Sequence, residues 1–384
     1  MTYGQTAPAG RFRNSLFSHM GAAACATLLS ACGPSTAELE AIDYTPLQGR
    51  EWTVSSPAEQ GLAPELVAEL YYHAADVDTI EALLVVKNGY LVAEKYFHNG
   101  GPEQKTRVQS VTKSFTSALV GLALQNGCLE NLDQKMLDFF PELSGQVTDP
   151  RKRQITLRQM LQMRAGYPWE ESSPELFDML YKGFRPSLLI QVPLVTDPGT
   201  HCEYSNLTSH LIGVVVARAC GTDLRSFAEE NLLGPLGVEL GDWIQDWEGN
   251  YNGHADMYLT ARDMARFGLL YLDDGVYAGR QVVPADWVRE SFQTYSEDAW
   301  DYRVGGNFKD VGYGYQWWSV RAGDHHYNLA WGHGGQQIAV LDELDLVVVV
   351  KADPLFGQHG GGPWKQEKAN LNLVADFIAS LPGN

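Results

Sequence analysis

Ser110 and Lys113 stand three residues apart in Ser110-Val111-Thr112-Lys113. Residues at i and i+3 share one face of a helix, so the lysine amine can reach the serine hydroxyl. A serine alcohol is a poor nucleophile at neutral pH and needs an adjacent base. A lysine serves as that base only where desolvation or nearby cations lower its pKa. The pair is therefore a candidate for acyl transfer through a covalent serine intermediate. Four-residue matches arise by chance, and the plain alternative is a capping hydroxyl followed by a solvated lysine. The surroundings favour chemistry. Phe115, Ala118, Leu119, Leu122 and Ala123 recur at three and four residues, which predicts a buried helix with Ser110 at its N-terminus. A helix N-terminus offers free backbone N–H groups and favours developing negative charge.

Two further segments carry matching chemistry. Pro198-Gly199 opens a turn that leads to Tyr204-Ser205-Asn206 and a helix from about Leu207. A tyrosine near cations can shuttle a proton, and an asparagine two residues on can hydrogen-bond a substrate carbonyl or the lysine. Later, Gly332-His333-Gly334-Gly335-Gln336-Gln337 precedes an apolar run at 338–341. Glycines before a strand let another backbone or a ligand approach closely. Backbone N–H groups there, with that of Ser110, are candidates for an oxyanion hole.

In this order and at these separations, the three segments resemble the serine β-lactamase and penicillin-binding-protein superfamily, with its S-x-x-K, Y-x-N and K-T-G or H-x-G motifs. They are most similar to the class C β-lactamase and esterase branch, which includes the 6-aminohexanoate-dimer hydrolases. Stretches at 155–161, 260–268 and 312–318 support the resemblance over nearly the whole mature chain. It implies Ser110 as the acylated nucleophile and Lys113 as its activating partner. Tyr204 would be general base for acylation and proton donor to the leaving group. Asn206 would orient the substrate or the lysine. Gln336 N–H, with Gly335 N–H as the neighbouring possibility, would complete the oxyanion hole. His333 departs from the pattern, because a true β-lactamase or DD-peptidase usually carries lysine there. A histidine is mostly neutral at pH 7 unless a neighbour raises its pKa. That weakens the case for recognising β-lactams or D-Ala-D-Ala and leaves the hydrolytic residues intact. The plain alternative is a structural histidine beside a glycine turn.

Elements must position these groups. A helix is expected over 64–75, and strands over 82–86 and 91–96 joined at Asn88-Gly89, a strong hairpin signal. Mostly helical pattern follows from 129 to 253. Helices at 261–273 and 284–293, strand runs at 314–320, 337–341 and 346–351, and a closing helix over 366–380 complete the chain. The expected fold is α/β (α+β): an antiparallel sheet flanked by helices and formed by both chain ends, 51–128 and 254–384. The family arrangement adds an inserted helical domain over 129–253, with the site in the cleft between. Of the aromatics near the motifs, Tyr167, Trp169, Tyr313, Tyr315, Trp317, Trp318 and Trp331, one or two are expected to touch substrate and the rest to be core.

The 384 residues are 45% hydrophobic and 20% charged, with net charge −19. Such an acidic balance repels nucleic acid and anionic lipid headgroups. Arg11 and Arg13, a weakly apolar stretch and Leu29-Ser30-Ala31-Cys32 predict a lipoprotein signal peptide over 1–31. Cys32 would be lipidated, with residues 32–50 as a tether, anchoring an exported protein at the periplasmic face of a bacterial membrane. Cys128, Cys202 and Cys220 then remain, an odd number without C-x-x-C spacing, and no disulfide framework or zinc site is expected. Cys202 reads as a buried, inert thiol. There is no G-x-S-x-G, H-E-x-x-H or G-x-x-x-x-G-K motif, and neither cofactor nor metal is expected. The function expected is hydrolysis of carboxylic esters or small amides through an acyl-enzyme. A β-lactamase or D-Ala-D-Ala carboxypeptidase is the alternative, and a non-catalytic peptidoglycan-binding envelope protein the third.

Overall fold

A computed structural model describes residues 33–49, 52–181, 183–300, 304–355 and 363–383. The expected leader and Cys32 lie outside the described residues. The stretch expected to be a tether is held to the body over its described end: Glu94 N–H donates to Tyr44 O at 2.9 Å, and Leu47 N–H to Glu94 Oε2 at 2.8 Å.

Both ends of the chain build one antiparallel sheet of seven strands. They are β1 (Ile80–Lys87), β2 (Tyr90–Tyr96), β3 (Lys309–Tyr313), β4 (Trp318–Ala322), β5 (His325–Gly332), β6 (Gln336–Leu341) and β7 (Leu346–Ala352). Their order is β2-β1-β7-β6-β5-β4-β3, so the first hairpin docks beside the last strand. The hairpin turn is made by Asn88 and Gly89, both at positive φ (53° and 77°), as a tight antiparallel turn requires.

The apolar runs are continuous because both faces of the sheet are covered. Side chains alternate across a strand, so Leu84, Val86, Ile338, Val340, Val347 and Val349 enter one core while Leu83, Val85, Ala339, Val348 and Val350 enter the other. Helices α1 (Pro64–Ala74) and α5 (Pro363–Ser380) cover the second face, through residues such as Tyr71, Leu371 and Ile378. Helices α2 (Thr112–Gln125) and α4 (Ala261–Leu272) lie in the first core, with Phe115 stacked on Phe267 at 3.7 Å. Gly268 lets α4 lie close on the sheet, since a Cβ there would sit 2.6 Å from Val347 Cγ1.

From Gly127 to Met257 the chain leaves the sheet, and its regular elements are helices and single helical turns joined by loops, centred on α3 (Asn206–Cys220). Ser205 caps α3 by accepting from Thr208 N–H at 3.2 Å. The chain returns through a short pairing of Thr106–Arg107 with Tyr258–Leu259, immediately before Ser110.

Three expectations need correcting. The strand expected over 314–320 is interrupted: Gly314 to Trp317 form a turn, where Gln316 (φ 61°) donates from N–H and Nε2 to Leu161 O, tying sheet to helices. Strand β5 was not anticipated, because His325, His326 and Asn328 break its apolar pattern. His325 and Asn328 are nevertheless buried, His325 paired with Glu343. Finally, Cys128 and Cys220 form a disulfide, with Cα atoms 4.9 Å apart. Helices α2 and α3 pack together and end side by side, bringing together cysteines 92 residues apart. That proximity belongs to tertiary packing and not to sequence spacing. Cys202 is the free thiol among the described residues, and burial pushes it up to about 12.

Candidate active site

Ser110 sits in a single 3-10 turn (Gln109–Val111) that feeds directly into α2. The residue before it, Gln109, has φ 50°, a left-handed conformation costly for a non-glycine residue. The turn is pressed from behind by the end of β5, where a Cβ on Gly332 would lie 2.4 Å from Val108 O. The sharp turn leaves Ser110 half-exposed at the cleft while its neighbour Val111 is fully buried.

Lys113, on the first turn of α2, is 2% exposed, and its Nζ has three acceptors. It lies 2.8 Å from Ser110 Oγ, 2.7 Å from Asn206 Oδ1 and 2.9 Å from His254 O. Three donors and three acceptors fix the amine in place. Burial pushes Lys113 down to about 7, against the pull of Glu171, Glu170 and Asp256, which favour its charged form. The amine is therefore within reach of its neutral, proton-accepting form near neutral pH.

Tyr204 shares a hydrogen bond with the Ser110 side chain, and its ring lies 4.8 Å from Lys113 Nζ. Burial holds the phenol well above its ordinary value, outweighing the Ser110 hydrogen bond. A phenol held protonated suits proton donation.

Asn206 occupies the first position of α3. Its Oδ1 accepts from Lys113, and its Nδ2 donates to Glu171 Oε1 at 2.8 Å. Its neighbour Glu170 is 4% exposed; Oε1 accepts from Leu207 N–H at 2.9 Å, while Oε2 makes no hydrogen bond among the described residues. Burial pushes Glu170 up to about 7. Glu170 and Glu171 lie in a 3-10 turn (Glu170–Ser172) without periodic signal and were not anticipated.

His333 stands in the β5–β6 turn with Nδ1 3.0 Å from Glu367 Oε2 on α5. Burial works against its charge, but the Glu367 hydrogen bond and the charges of Glu367 and Glu171 raise its pKa. The same carboxylate accepts from Trp331 Nε1 at 2.7 Å and Gly334 N–H at 3.3 Å. His333 lines the cleft with Ser110, and pairs with Glu367. Of the two expected oxyanion donors in the glycine turn, Gly335 and Gln336, the first has a backbone partner. Gly335 N–H is already donated to Gly332 O at 3.0 Å, closing the turn. The Gln336 side chain is wholly buried, bonded to the backbone of Ala352 on β7.

Two cavities meet at Ser110. One, about 380 Å³, is walled by Trp169, Trp300, Trp318, Trp331 and Trp364, together with Tyr204, His333 and the carboxylates of Glu171 and Glu367. Tyr204 stacks on Trp318 at 5.2 Å, and Trp318 meets Trp300 and Trp331 at 5.4 and 5.3 Å. Three of these tryptophans, Trp169, Trp318 and Trp331, come from the motif neighbourhoods. Trp300 and Trp364 come from a loop and from the start of α5, where nothing in the sequence flagged them. Tyr167, Tyr313, Tyr315 and Trp317 are core. The other cavity, about 490 Å³, is lined by Asn206, Gln109, Arg107, Asp256 and Gln245 among others, and is more polar.

The beta-lactamase family model matches residues 81–353, and the chain belongs to that family. It is 26% identical over 287 residues to the 6-aminohexanoate-dimer hydrolase of Paenarthrobacter ureafaciens, covering 70% of this chain and 71% of that one. Among solved structures, a putative 6-aminohexanoate-dimer hydrolase from Bacillus anthracis superposes with a TM-score of 0.65, at 21% identity over 89% of each chain. A hydrolase with promiscuous acyltransferase activity, EstCE1, gives a TM-score of 0.63 at 16% identity, over 83% of this chain and all of that one. The fold is β-lactamase-like.

Proposed function

We propose that the protein is a serine hydrolase that acts through an acyl-enzyme on carboxylic esters or small amides. The observation that carries this reading is the buried Lys113 amine, 2.8 Å from Ser110 Oγ and pushed down to about 7. Lys113 takes the Ser110 proton as Oγ attacks the carbonyl carbon. The tetrahedral intermediate collapses, the bond to the leaving oxygen or nitrogen breaks, and Tyr204 donates its hydroxyl proton to that atom. The proton held by Lys113 restores Tyr204. Water then attacks the acyl-enzyme by the same route in reverse and releases the acid. Asn206 holds the amine in line. A relative described as a 6-aminohexanoate-dimer hydrolase, and an aligned structure described as a hydrolase with promiscuous acyltransferase activity, support the reaction class.

The β-lactamase and carboxypeptidase alternative has less support. Those substrates carry a carboxylate, and His333, which lines the cleft with Ser110, is already paired with Glu367. The binding-protein alternative leaves the Ser110–Lys113–Tyr204 arrangement without a purpose. Export and lipidation at Cys32 remain part of the proposal; an envelope location suits the Cys128–Cys220 disulfide, which persists in oxidising compartments. The test is hydrolysis of p-nitrophenyl butyrate by the protein starting after Cys32. Turnover that disappears in Ser110→Ala is expected; turnover that survives it unchanged sinks the assignment.

A further inference from the structure

The two cavities at Ser110 differ in chemistry, and the proton donor Tyr204 borders only one of them. Tyr204 lines the tryptophan-walled cavity and not the polar one, whereas Asn206 lines the polar one and not the tryptophan-walled one. The leaving atom must come within hydrogen-bond reach of the group that protonates it. A group departing with the Tyr204 proton is therefore on the tryptophan side, and the acyl chain is on the Asn206 side.

We propose that the tryptophan-walled cavity is the leaving-group site and selects uncharged aromatic alcohols or amines, so that the substrates are esters or amides of a ring-bearing leaving group with a smaller, more polar acyl part. This rests on the proposed function, and in particular on Tyr204 as proton donor.

The wall fits a flat ring. Tyr204, Trp318, Trp300 and Trp331 form a continuous aromatic surface with centroids 5.2 to 6.0 Å apart, in stacked, tilted and edge-on pairs. Trp364 extends it, near-parallel to Trp331 at 6.2 Å. Offset-stacked and edge-to-face contacts make such a surface favour rings over chains of equal area. The cavity volume, about 380 Å³, suits a one- or two-ring group.

Charge sets the second criterion. Among the described residues, the lining holds the carboxylates of Glu171 and Glu367 and neither lysine nor arginine. Its histidine is bound to Glu367, and all three donors of the Lys113 ammonium face Ser110, Asn206 and His254 O. A leaving group bearing a carboxylate would meet the carboxylates of Glu171 and Glu367 in a lining that has, among the described residues, no lysine or arginine to receive it. The bond cleaved is between the acyl carbon and the leaving oxygen or nitrogen, and no redox partner or co-reactant besides water is needed.

The test uses esters whose alcohols have similar intrinsic leaving ability, with the ring on one side or the other. We expect kcat/KM for 2-naphthylmethyl butyrate to exceed that for ethyl butyrate by at least about tenfold, from ring burial against the wall. Ethyl 2-naphthylacetate, with the ring on the acyl side, gains less than about threefold on the same grounds. Trp364→Ala and Trp331→Phe each reduce the naphthylmethyl-to-ethyl ratio. A gain confined to the acyl-side ring, or a ratio near one for both, overturns the assignment while Ser110-dependent turnover of ethyl butyrate keeps the hydrolase reading intact. A readout independent of turnover is calorimetric binding to Ser110→Ala. 2-Naphthylmethanol is expected to bind, more weakly in the Ser110→Ala, Trp364→Ala double variant, and 2-naphthoate to bind at least tenfold more weakly than the alcohol, as charge exclusion requires. Equal binding of alcohol and carboxylate, or no binding of the alcohol, refutes the site even if no ester is hydrolysed.

Discussion

Replacing Lys113 with methionine, which has a similar length and no charge, isolates the cost of burying the amine. The side chain is 2% exposed and pushed down from 10.5 to about 7 by burial. The sign follows from proton linkage. Between those values the unfolded chain holds a proton that the folded chain has lost, so stability rises with pH from 7 towards 10.5 and falls as pH drops through that window. A shift of one unit corresponds to about 1.4 kcal/mol, so between pH 7.5 and 10 the parent gains about 3 kcal/mol from this group. The variant gains none of it. Ser110, Asn206 and His254 O lose a donor in Lys113→Met at every pH, a constant offset that cancels in the comparison. Urea unfolding of both proteins at the two pH values measures the difference. The stability of the parent relative to Lys113→Met should increase by about 3 kcal/mol on going from pH 7.5 to 10. A difference that stays constant across the window would contradict a depressed amine, and with it the assignment of Lys113 as base.

Removing the disulfide with Cys128→Ala and Cys220→Ala frees a loop spanning a 92-residue separation and should cost about 2–5 kcal/mol, read as a lower Tm with esterase activity retained at 25 °C. Glu367→Gln takes away the charge that raises His333; the imidazole pKa, followed by NMR, should fall, and no change would show that Glu367 does not set it. Gly332→Ala places a methyl group 2.4 Å from Val108 O, behind the Ser110 turn; a loss of about 1–3 kcal/mol in stability, with kcat reduced more than KM is raised, is expected from that clash.

Ser110 and Lys113 were legible because helix geometry alone brings i and i+3 together. Tyr204 and Asn206 were legible because the Pro198-Gly199 turn leads into them and a helical pattern follows from about Leu207. The first hairpin could be read from Asn88-Gly89, and β7 from its apolar run. What sequence could not give were partners assembled from distant segments. Glu170 and Glu171 come from a single 3-10 turn and Glu367 from the closing helix, and none has a spacing relation to Lys113 or His333. The tryptophan wall draws on five separate segments. Trp300 lies in a loop, where burial leaves no period to detect, and Trp364 at the head of α5. The Cys128–Cys220 bond depends on two helices ending together, and polar residues hid β5 because their partners are contributed by other elements. His333 illustrates the limit. Its neutral or charged state is set by Glu367, 34 residues downstream, and not by its glycine neighbours.

The claim on which everything else depends is that Ser110 is the nucleophile activated by its buried lysine. Intact-mass analysis after treatment with a fluorophosphonate ester, followed by peptide mapping, measures it directly. A single adduct on the peptide containing Ser110 is predicted, forming in the parent and absent in Ser110→Ala, and slowed about 100-fold or more in Lys113→Met as expected for loss of a general base. Labelling at another residue, or labelling at Ser110 that proceeds equally fast without Lys113, would contradict it.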